Sequence, residues 1–243
     1  MVLKAVLLDF NGVIIDDERL HEEAIAQVLL EENLMFQPGE FQQFCLGRGD
    51  RAGLTDLLGS RGRVLTPESL EKLVQRKATY YRQQLDSLDK LPIYPTLGDL
   101  IFKFRVAGLK LGVVSGALRS EVESILDRAQ LKQHFSTIVG GDEVKVSKPS
   151  PEGYLLAVER LNRMEPTLGL QPSECLAIED SFAGIEAAKR AGIRVVGVAH
   201  TYPFHMLQRR ANWAIDDLYD LEVDRVRRLF DGCEREPETA IGE

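Results

Sequence analysis

Several residues of the kinds that handle phosphate groups and hard metal ions stand just after short apolar runs. Asp9 ends the first run, Ser115 ends another, and Glu179 and Asp180 end a later one, while Lys148 lies in a loop before two prolines. Carboxylate oxygens are preferred ligands of Mg²⁺, a carboxylate can also act as a nucleophile, and a hydroxyl or an ammonium can hold phosphate oxygens. A single carboxylate after a strand is more often a helix cap, so the shared position of these residues is the signal.

The elements that would position these side chains alternate between strands and helices. Short runs rich in leucine and β-branched residues are typical of buried parallel strands, and amphipathic helical stretches separate most of them. This alternation predicts an α/β domain with a parallel sheet, whose ligands bind beyond the carboxyl ends of the strands. The predicted strands are 2–10, 110–115, 136–140, 174–179 and 194–199.

The stretch from residue 18 to residue 90 differs, because it holds long helical patterns with no strand candidate between them. We therefore predict an all-helical cap domain at 18–90, inserted into a core domain made of 1–17 and 91–230. Residues 231–243 are polar and lack periodicity, which predicts a flexible tail.

The net charge, the cysteine count and the N-terminal segment indicate which partners and which cellular compartment to expect. The 38 acidic and 30 basic residues give a net charge of −8, which repels polyanions and disfavours nucleic acid as a partner. The 3 cysteines are far apart in the chain, which argues against a disulfide framework and favours a reducing compartment. The N-terminal apolar run is too short to span a membrane and lacks a signal-peptide pattern, so we expect a cytoplasmic protein with no membrane partner.

Four ordered segments resemble the motifs of the haloacid dehalogenase-like superfamily, and within it the β-phosphoglucomutase-like phosphatases and phosphomutases. The resemblance extends from residue 3 to about residue 203 and includes a helical cap directly after the first motif. It implies a Rossmann-like core, a Mg²⁺ cofactor and an aspartyl-phosphate intermediate. The segments are DFNGVIIDDERLH, VVSGA, KPSPEGY and EDSFAGIEAAKRAG.

The resemblance assigns roles to matching residues. Asp9 would be the nucleophile, and Lys148 would pair with both the nucleophile and the phosphate. Phosphate oxygens would be held by Ser115 together with the following Gly116 and Ala117, although a serine in the position of Ser115 is, by itself, more often a helix N-cap. The expected Mg²⁺ ligands are Asp9, the backbone carbonyl of Asn11, Glu179 and Asp180.

Asn11 is the departure from the family pattern. Phosphatases and mutases of this kind normally carry an aspartate two residues after the nucleophile, and that aspartate exchanges protons with the leaving group and the incoming water. Asparagine cannot do so, and general acid–base help is worth about 10²- to 10⁴-fold in rate. Asp16 and Asp17 are near in sequence, but they resemble the start of the cap linker, and we do not expect them to replace the missing group.

The cap carries residues that resemble those reading the sugar and the distal phosphate in mutase-like relatives. Arginine suits bidentate phosphate contacts and lysine a point-charge contact. The ordinary alternative is that these are solvated charges and a satisfied helix histidine. The candidates are His21, Arg48, Arg51 and Lys77.

These observations predict a Mg²⁺-dependent phosphatase of a small phosphorylated metabolite, for which a sugar phosphate is the leading candidate, with slow turnover because of Asn11. One alternative is a phosphomutase, which is disfavoured because a mutase needs the proton-transfer group even more. Another is a catalytically silent domain that binds a phosphorylated ligand or a protein. Metal-independent dehalogenation and phosphonate hydrolysis are minor alternatives. We expect a monomer or a weak dimer.

Overall fold

The computed structural model describes residues 2–232 and contains a six-stranded sheet in which every neighbouring pair of strands is parallel. The strands are β1 (Ala5–Leu8), β2 (Lys110–Val114), β3 (Thr137–Val139), β4 (Cys175–Glu179), β5 (Arg194–Val198) and β6 (Trp213–Ile215). Their spatial order is β3-β2-β1-β4-β5-β6, so the first strand of the chain lies inside the sheet between β2 and β4.

The strand predictions are confirmed for β1 to β5, whose residues form continuous apolar runs. The sequence did not reveal β6, because its three residues are only half-buried and have no longer apolar run around them. The predicted α/β class with a parallel sheet is confirmed.

Nine α-helices accompany the sheet among residues 2–232. They are α1 (Glu18–Glu31), α2 (Asp50–Ser60), α3 (Pro67–Asp86), α4 (Leu97–Val106), α5 (Arg119–Arg128), α6 (Glu152–Met164), α7 (Phe182–Arg190), α8 (Phe204–Leu207) and α9 (Val223–Asp231).

The core lies on both faces of the sheet. Side chains alternate along β1, so that Val6 and Leu8 belong to one apolar cluster and Ala5 and Leu7 to another. All four are fully buried. Burying one leucine side chain contributes about 1.5 to 3 kcal/mol, so the central strand is held from both sides.

The helices between β1 and β2 include a separate helical unit with an apolar cluster of its own. Helices α1 and α3 pack against each other, and α2 packs against α3 and against a short π-helix at Phe41–Cys45. We call α1, α2, α3 and the loops between them the helical cap. The predicted boundaries of that domain, 18–90, stay a prediction.

The predicted tail at 231–243 lies outside the described residues from 233 onward. Within them, Asp231 is the last residue of α9 and Gly232 caps that helix in the left-handed conformation. No helix in the described part of the chain combines the length and the apolar character needed to cross a membrane.

Candidate active site

The carboxyl ends of three neighbouring strands place the predicted residues at one edge of the sheet. Asp9 follows β1 directly, Ser115 follows β2, and Glu179 is the last residue of β4, with Asp180 behind it. The backbone N–H of Asp9 still donates to Ile178 of β4 at 3.0 Å, so the sheet ladder fixes the position from which the Asp9 side chain projects.

Lys148 joins two of these carboxylates. Its Nζ lies 2.8 Å from Oδ1 of Asp9 and 2.7 Å from Oε1 of Glu179, and it donates to the Val114 carbonyl at 3.1 Å. Burial by itself would lower the pKa of Lys148, but the negative charges of Asp9 and Glu179 outweigh it and raise that pKa. The lysine is therefore a fixed cation at the centre of the site.

The two oxygens of Asp9 have different environments. Oδ1 accepts from the Phe10 N–H at 2.7 Å and pairs with Lys148. Oδ2 has no hydrogen-bond partner among residues 2–232. The carboxylate is thus held by one oxygen, while the other is available for chemistry.

Asp9, Glu179 and Asp180 form a cluster of buried acids that fits a divalent cation. One ligand oxygen from each lies within 4.8 Å of the others. Burial, and then the charge of Asp9, raise the pKa of Glu179 to about 8, and the same causes raise the pKa of Asp180 well above its ordinary value. These crowded anions are hard oxygen donors, and a Mg²⁺ ion would relieve their mutual repulsion.

Their availability as ligands is unequal. Oε1 of Glu179 already accepts from Lys148 and from the Tyr154 hydroxyl at 2.5 Å, and Ser181 donates to Oε2 at 3.3 Å. Glu179 is completely buried, whereas Asp180 lines the cavity. Asp9 and Asp180 therefore suit direct coordination best, with Glu179 holding Lys148 from behind.

Asn11 takes part in a network that continues into the cap. Its Nδ2 donates to both oxygens of Asp17, at 3.1 and 2.9 Å, and lies 2.9 Å from Nε2 of His21. His21 Nδ1 is 2.5 Å from Nζ of Lys77, which also donates to Asp50 at 2.8 Å. Because an ammonium only donates, Nδ1 must accept, and the His21 proton is on Nε2, 3.2 Å from an Asp17 oxygen. The Asn11 amide and the His21 ring are thus two neighbouring donors that share Asp17 as acceptor, and the 2.9 Å approach of Nδ2 to Nε2 is a contact between donors, not a hydrogen bond.

Asp17 is the centre of that network. Burial would raise the pKa of Asp17, but the contacts with His21, Tyr81 and Asn11 together hold it below its ordinary value. The Tyr81 ring also stacks on the His21 ring, with centroids 4.3 Å apart. The sequence did not identify this role of Asp17, since nothing in the linker pattern shows which side chain the loop turns toward.

The cap residues predicted to contact substrate differ in their placement. His21 and Arg48 line the cavity at the sheet edge. Lys77 is fully buried behind His21, so it supports the wall without lining it. Arg51 lies in the first turn of α2 on the outer surface, where it pairs with Glu71 of α3. That ion pair keeps Arg51 away from the cavity.

Only one of the three predicted phosphate-holding residues after β2 lines this cavity. Gly116 lies in its wall, whereas Ser115 and Ala117 are buried beside it, with the Ala117 N–H donating to Oγ of Ser115 at 3.0 Å. The cavity is small in this arrangement of cap and core, with a volume of about 50 Å³. It is lined by Asp9, Asn11, Glu18, His21, Ile25, Phe41, Cys45, Leu46, Gly47, Arg48, Asp50, Gly116, Lys148 and Asp180.

The structure adds Glu18 and Thr201, which the sequence analysis missed. The Thr201 hydroxyl contacts both Asp180 and Glu18, and it thereby ties the start of α1 to the acidic cluster. Burial raises the pKa of Glu18. A signal for Thr201 was present, since it lies shortly after the predicted strand at 194–199 and therefore at the same edge of the sheet.

Two glycines of the cap touch the core next to the cavity. Any Cβ on Gly47 would lie closer than 3.0 Å to the side chain of Ser181. Any Cβ on Gly49 would lie 3.2 Å from the Gly116 carbonyl oxygen and 3.3 Å from Cβ of Ser147. The loop before α2 thus packs directly over the strand ends and covers the site.

Known proteins resemble this chain over most of its length. Residues 3–192 match the family model of the haloacid dehalogenase-like hydrolases. The chain is 27% identical over 234 residues to protein CbbY of Rhodobacter capsulatus, an alignment that covers 94% of this chain and 100% of that protein. It is 31% identical over 200 residues to the phosphorylated carbohydrates phosphatase of Thermotoga maritima, covering 82% of this chain and 87% of that enzyme.

A solved structure shows the same fold. The β-phosphoglucomutase of Clostridium difficile superposes with a TM-score of 0.82 at 22% identity, and the match covers 95% of this chain and 98% of that one.

Proposed function

Because the chain belongs to the haloacid dehalogenase-like hydrolases, we propose that it is a Mg²⁺-dependent phosphatase of a small phosphorylated metabolite, in the first instance a sugar phosphate. The observation that carries the proposal is the buried Asp9 carboxylate, held on one oxygen by Lys148 and open on the other. The similarity to a phosphatase of phosphorylated carbohydrates supports the same substrate class.

In this proposal Asp9 is the nucleophile. Its free oxygen, Oδ2, attacks phosphorus, the new bond makes an aspartyl phosphate, and the bond from phosphorus to the substrate oxygen breaks. Water then attacks the same phosphorus and gives up a proton to the solvent, the bond from phosphorus to Oδ2 breaks, and inorganic phosphate leaves while the Asp9 carboxylate is restored. Lys148 keeps the carboxylate oriented and places a positive charge beside the phosphoryl oxygens.

Asp9 and Asp180 would hold Mg²⁺, together with the backbone carbonyl of Asn11 and with Glu179 as a further donor. Bound there, the ion supplies charge neutralisation for the phosphoryl oxygens, so that one anion can approach another. The crowding of the three buried acids supports this assignment.

Turnover is limited by Asn11 in this scheme. Its amide can hydrogen-bond but cannot protonate a leaving oxygen or deprotonate water. Substrates with good leaving groups, such as aryl phosphates, should therefore react faster than alkyl phosphates. The same deficiency disfavours a phosphomutase, which needs proton transfer to and from a sugar hydroxyl in each half of its cycle.

The rest of the substrate would contact the cap. Among residues 2–232, Arg48 is the arginine of the cap that lines the cavity. Its Nη2 already lies 2.6 Å from Oδ2 of Asp56. Glu18 and Asp50 line the same space with carboxylates, and Ile25 and Phe41 line it with apolar surface. This mixture favours a substrate with one phosphate and a hydroxyl-bearing body over one with a second phosphate.

The test is phosphate release from a panel of sugar phosphates and an aryl phosphate, with and without Mg²⁺. Asp9→Ala should abolish release, whereas the matched control Asp99→Ala, at an exposed position of α4, should not change it. Acid-quenched protein should carry phosphate on Asp9 during turnover of the aryl phosphate. Release that persists in Asp9→Ala would refute the proposal.

A further inference from the structure

The pair formed by Asn11 and Asp17 sets which residue position 11 can accept. Asp17 is 1% exposed and comes within hydrogen-bonding distance of three donors: the Asn11 amide, the Tyr81 hydroxyl and the His21 Nε2–H. All three converge on one carboxylate, which needs donors because it can only accept. The Asn11 amide is therefore oriented with Nδ2 toward Asp17.

An aspartate in the same place would meet Asp17 without a donor between them. The atom replacing Nδ2 would be a carboxylate oxygen 2.9 and 3.1 Å from the two oxygens of Asp17. Two carboxylates at this distance repel strongly, and burial keeps bulk solvent from screening the Asp17 charge. The aspartate that relatives carry at this position would thus be repelled by Asp17, although it could perform the proton transfer that Asn11 cannot.

We propose that Asp17 is a positioning residue that fixes the Asn11 amide, so that asparagine, and not aspartate, is the working residue at position 11 of this site. The proposal rests on the proposed function, because it assigns a role within the same cavity. It predicts that Asn11→Asp alone does not repair the site and that the exchange must be made at both positions.

The network explains why Asp17 can do this. Tyr81 and Lys77 lie in α3 of the cap, and His21 lies in α1. Lys77 holds the His21 ring by its Nδ1 atom. Asp17 is thus held by the cap from one side and holds Asn11 from the other. The orientation of the Asn11 amide depends on the cap being in the position that the structure shows.

The experiment compares the wild-type chain with Asn11→Asp, Asp17→Asn and the double variant that carries both changes. In the double variant, the amide introduced at position 17 can donate to the carboxylate introduced at position 11, which restores the hydrogen bond with its polarity reversed. A matched control is Asn33→Asp, since Asn33 lies after α1 and outside the cavity. The readouts are kcat and KM for an aryl phosphate and a sugar phosphate, and the Tm of each protein.

We expect Asn11→Asp to lower kcat at least about tenfold, which corresponds to roughly 1.4 kcal/mol in the barrier, and to lower Tm by about 5 °C. The double variant should recover both quantities, and its kcat should equal or exceed that of wild type because the carboxylate introduced at position 11 can now exchange protons. KM should change less than kcat, since the pair does not hold the distal part of the substrate. Asn33→Asp should match wild type.

The outcomes separate the two proposals. If Asn11→Asp raises kcat by itself and Asp17→Asn adds nothing to it, the positioning role of Asp17 is wrong. If neither the wild type nor any variant releases phosphate, but the Tm losses still cancel in the double variant, the interaction between Asn11 and Asp17 is supported and the proposed phosphatase function is refuted. If Asn11→Asp leaves both Tm and kcat unchanged, the pair has no role.

Discussion

Gly47 lies where the loop before α2 meets the core, and its replacement tests whether that contact is needed for turnover. In Gly47→Ala the new methyl group would come closer than 3.0 Å to the Ser181 side chain. Gly47 also has a φ of 67°, a conformation that alanine adopts at a cost of roughly 1 to 2 kcal/mol. The variant therefore combines backbone strain with a clash between cap and core.

Gly62 offers a control that has the strain without the clash. Its φ is 74°, it also belongs to the cap, and no atom would lie within 4 Å of an added Cβ. Both variants should lose about 1 to 2 kcal/mol in the free energy of unfolding. Only Gly47→Ala should also suffer the overpacking penalty of about 1 to 3 kcal/mol in the state where the cap touches the core.

That additional penalty corresponds to a loss of roughly 5- to 150-fold in kcat/KM, beyond any loss in Gly62→Ala. The assay is steady-state phosphate release from an aryl phosphate, with urea unfolding of each variant measured alongside. If the two variants show the same kcat/KM, the packing of Gly47 on Ser181 is not part of the reactive state, and the reasoning about cap closure fails.

Three further results are expected. Burial raises the pKa of Glu121, whose carboxylate oxygens have no hydrogen-bond partner among residues 2–232, so the folded state binds that proton more tightly than the unfolded state. The stability of the wild type relative to Glu121→Gln should therefore fall as pH rises above 4.5. In urea unfolding, Glu121→Gln should be more stable than the wild type by about 1 to 3 kcal/mol at neutral pH, and should have no such advantage below pH 4.5. Arg48→Ala should raise KM for a sugar phosphate, whereas Arg51→Ala should leave kcat/KM unchanged, and an equal effect of the two would contradict the placement of Arg51. Mg²⁺ at about 100 times its Kd should stabilise the wild-type fold by about 2.7 kcal/mol in thermal unfolding, a shift that Asp180→Asn should remove.

The sheet and its functional edge could be predicted from sequence, because buried parallel strands are continuous apolar runs. Once β1, β2 and β4 are recognised, the residues that follow them must meet at one edge. This is why Asp9, Ser115 and Asp180 lie at one edge of the sheet in the structure. Lys148 reaches the same edge from the loop between β3 and α6. Their roles in catalysis and metal binding stay predictions.

Side-chain partners within and around the cap could not be predicted in the same way. Helical periodicity shows which residues share a face, but not which neighbour that face meets. Arg51 and Lys77 have the same chemical character in the sequence, yet one is paired on the outer surface and the other is buried behind His21. The contact between Asn11 and Asp17 depends on the turn at Gly12, whose φ is 72°.

The central position of β1 has a consequence for how the protein is made. Ala5 pairs with Lys110 on one side and with Cys175 on the other, so its second partner is made roughly 170 residues later. At ribosomal rates of about 5 to 20 residues per second, β1 would wait roughly 10 to 30 s for β4. During that time the backbone groups on that edge of β1 have no native partner. The nascent chain should therefore depend on chaperone shielding until β4 has emerged, and chains terminated before residue 175 should aggregate.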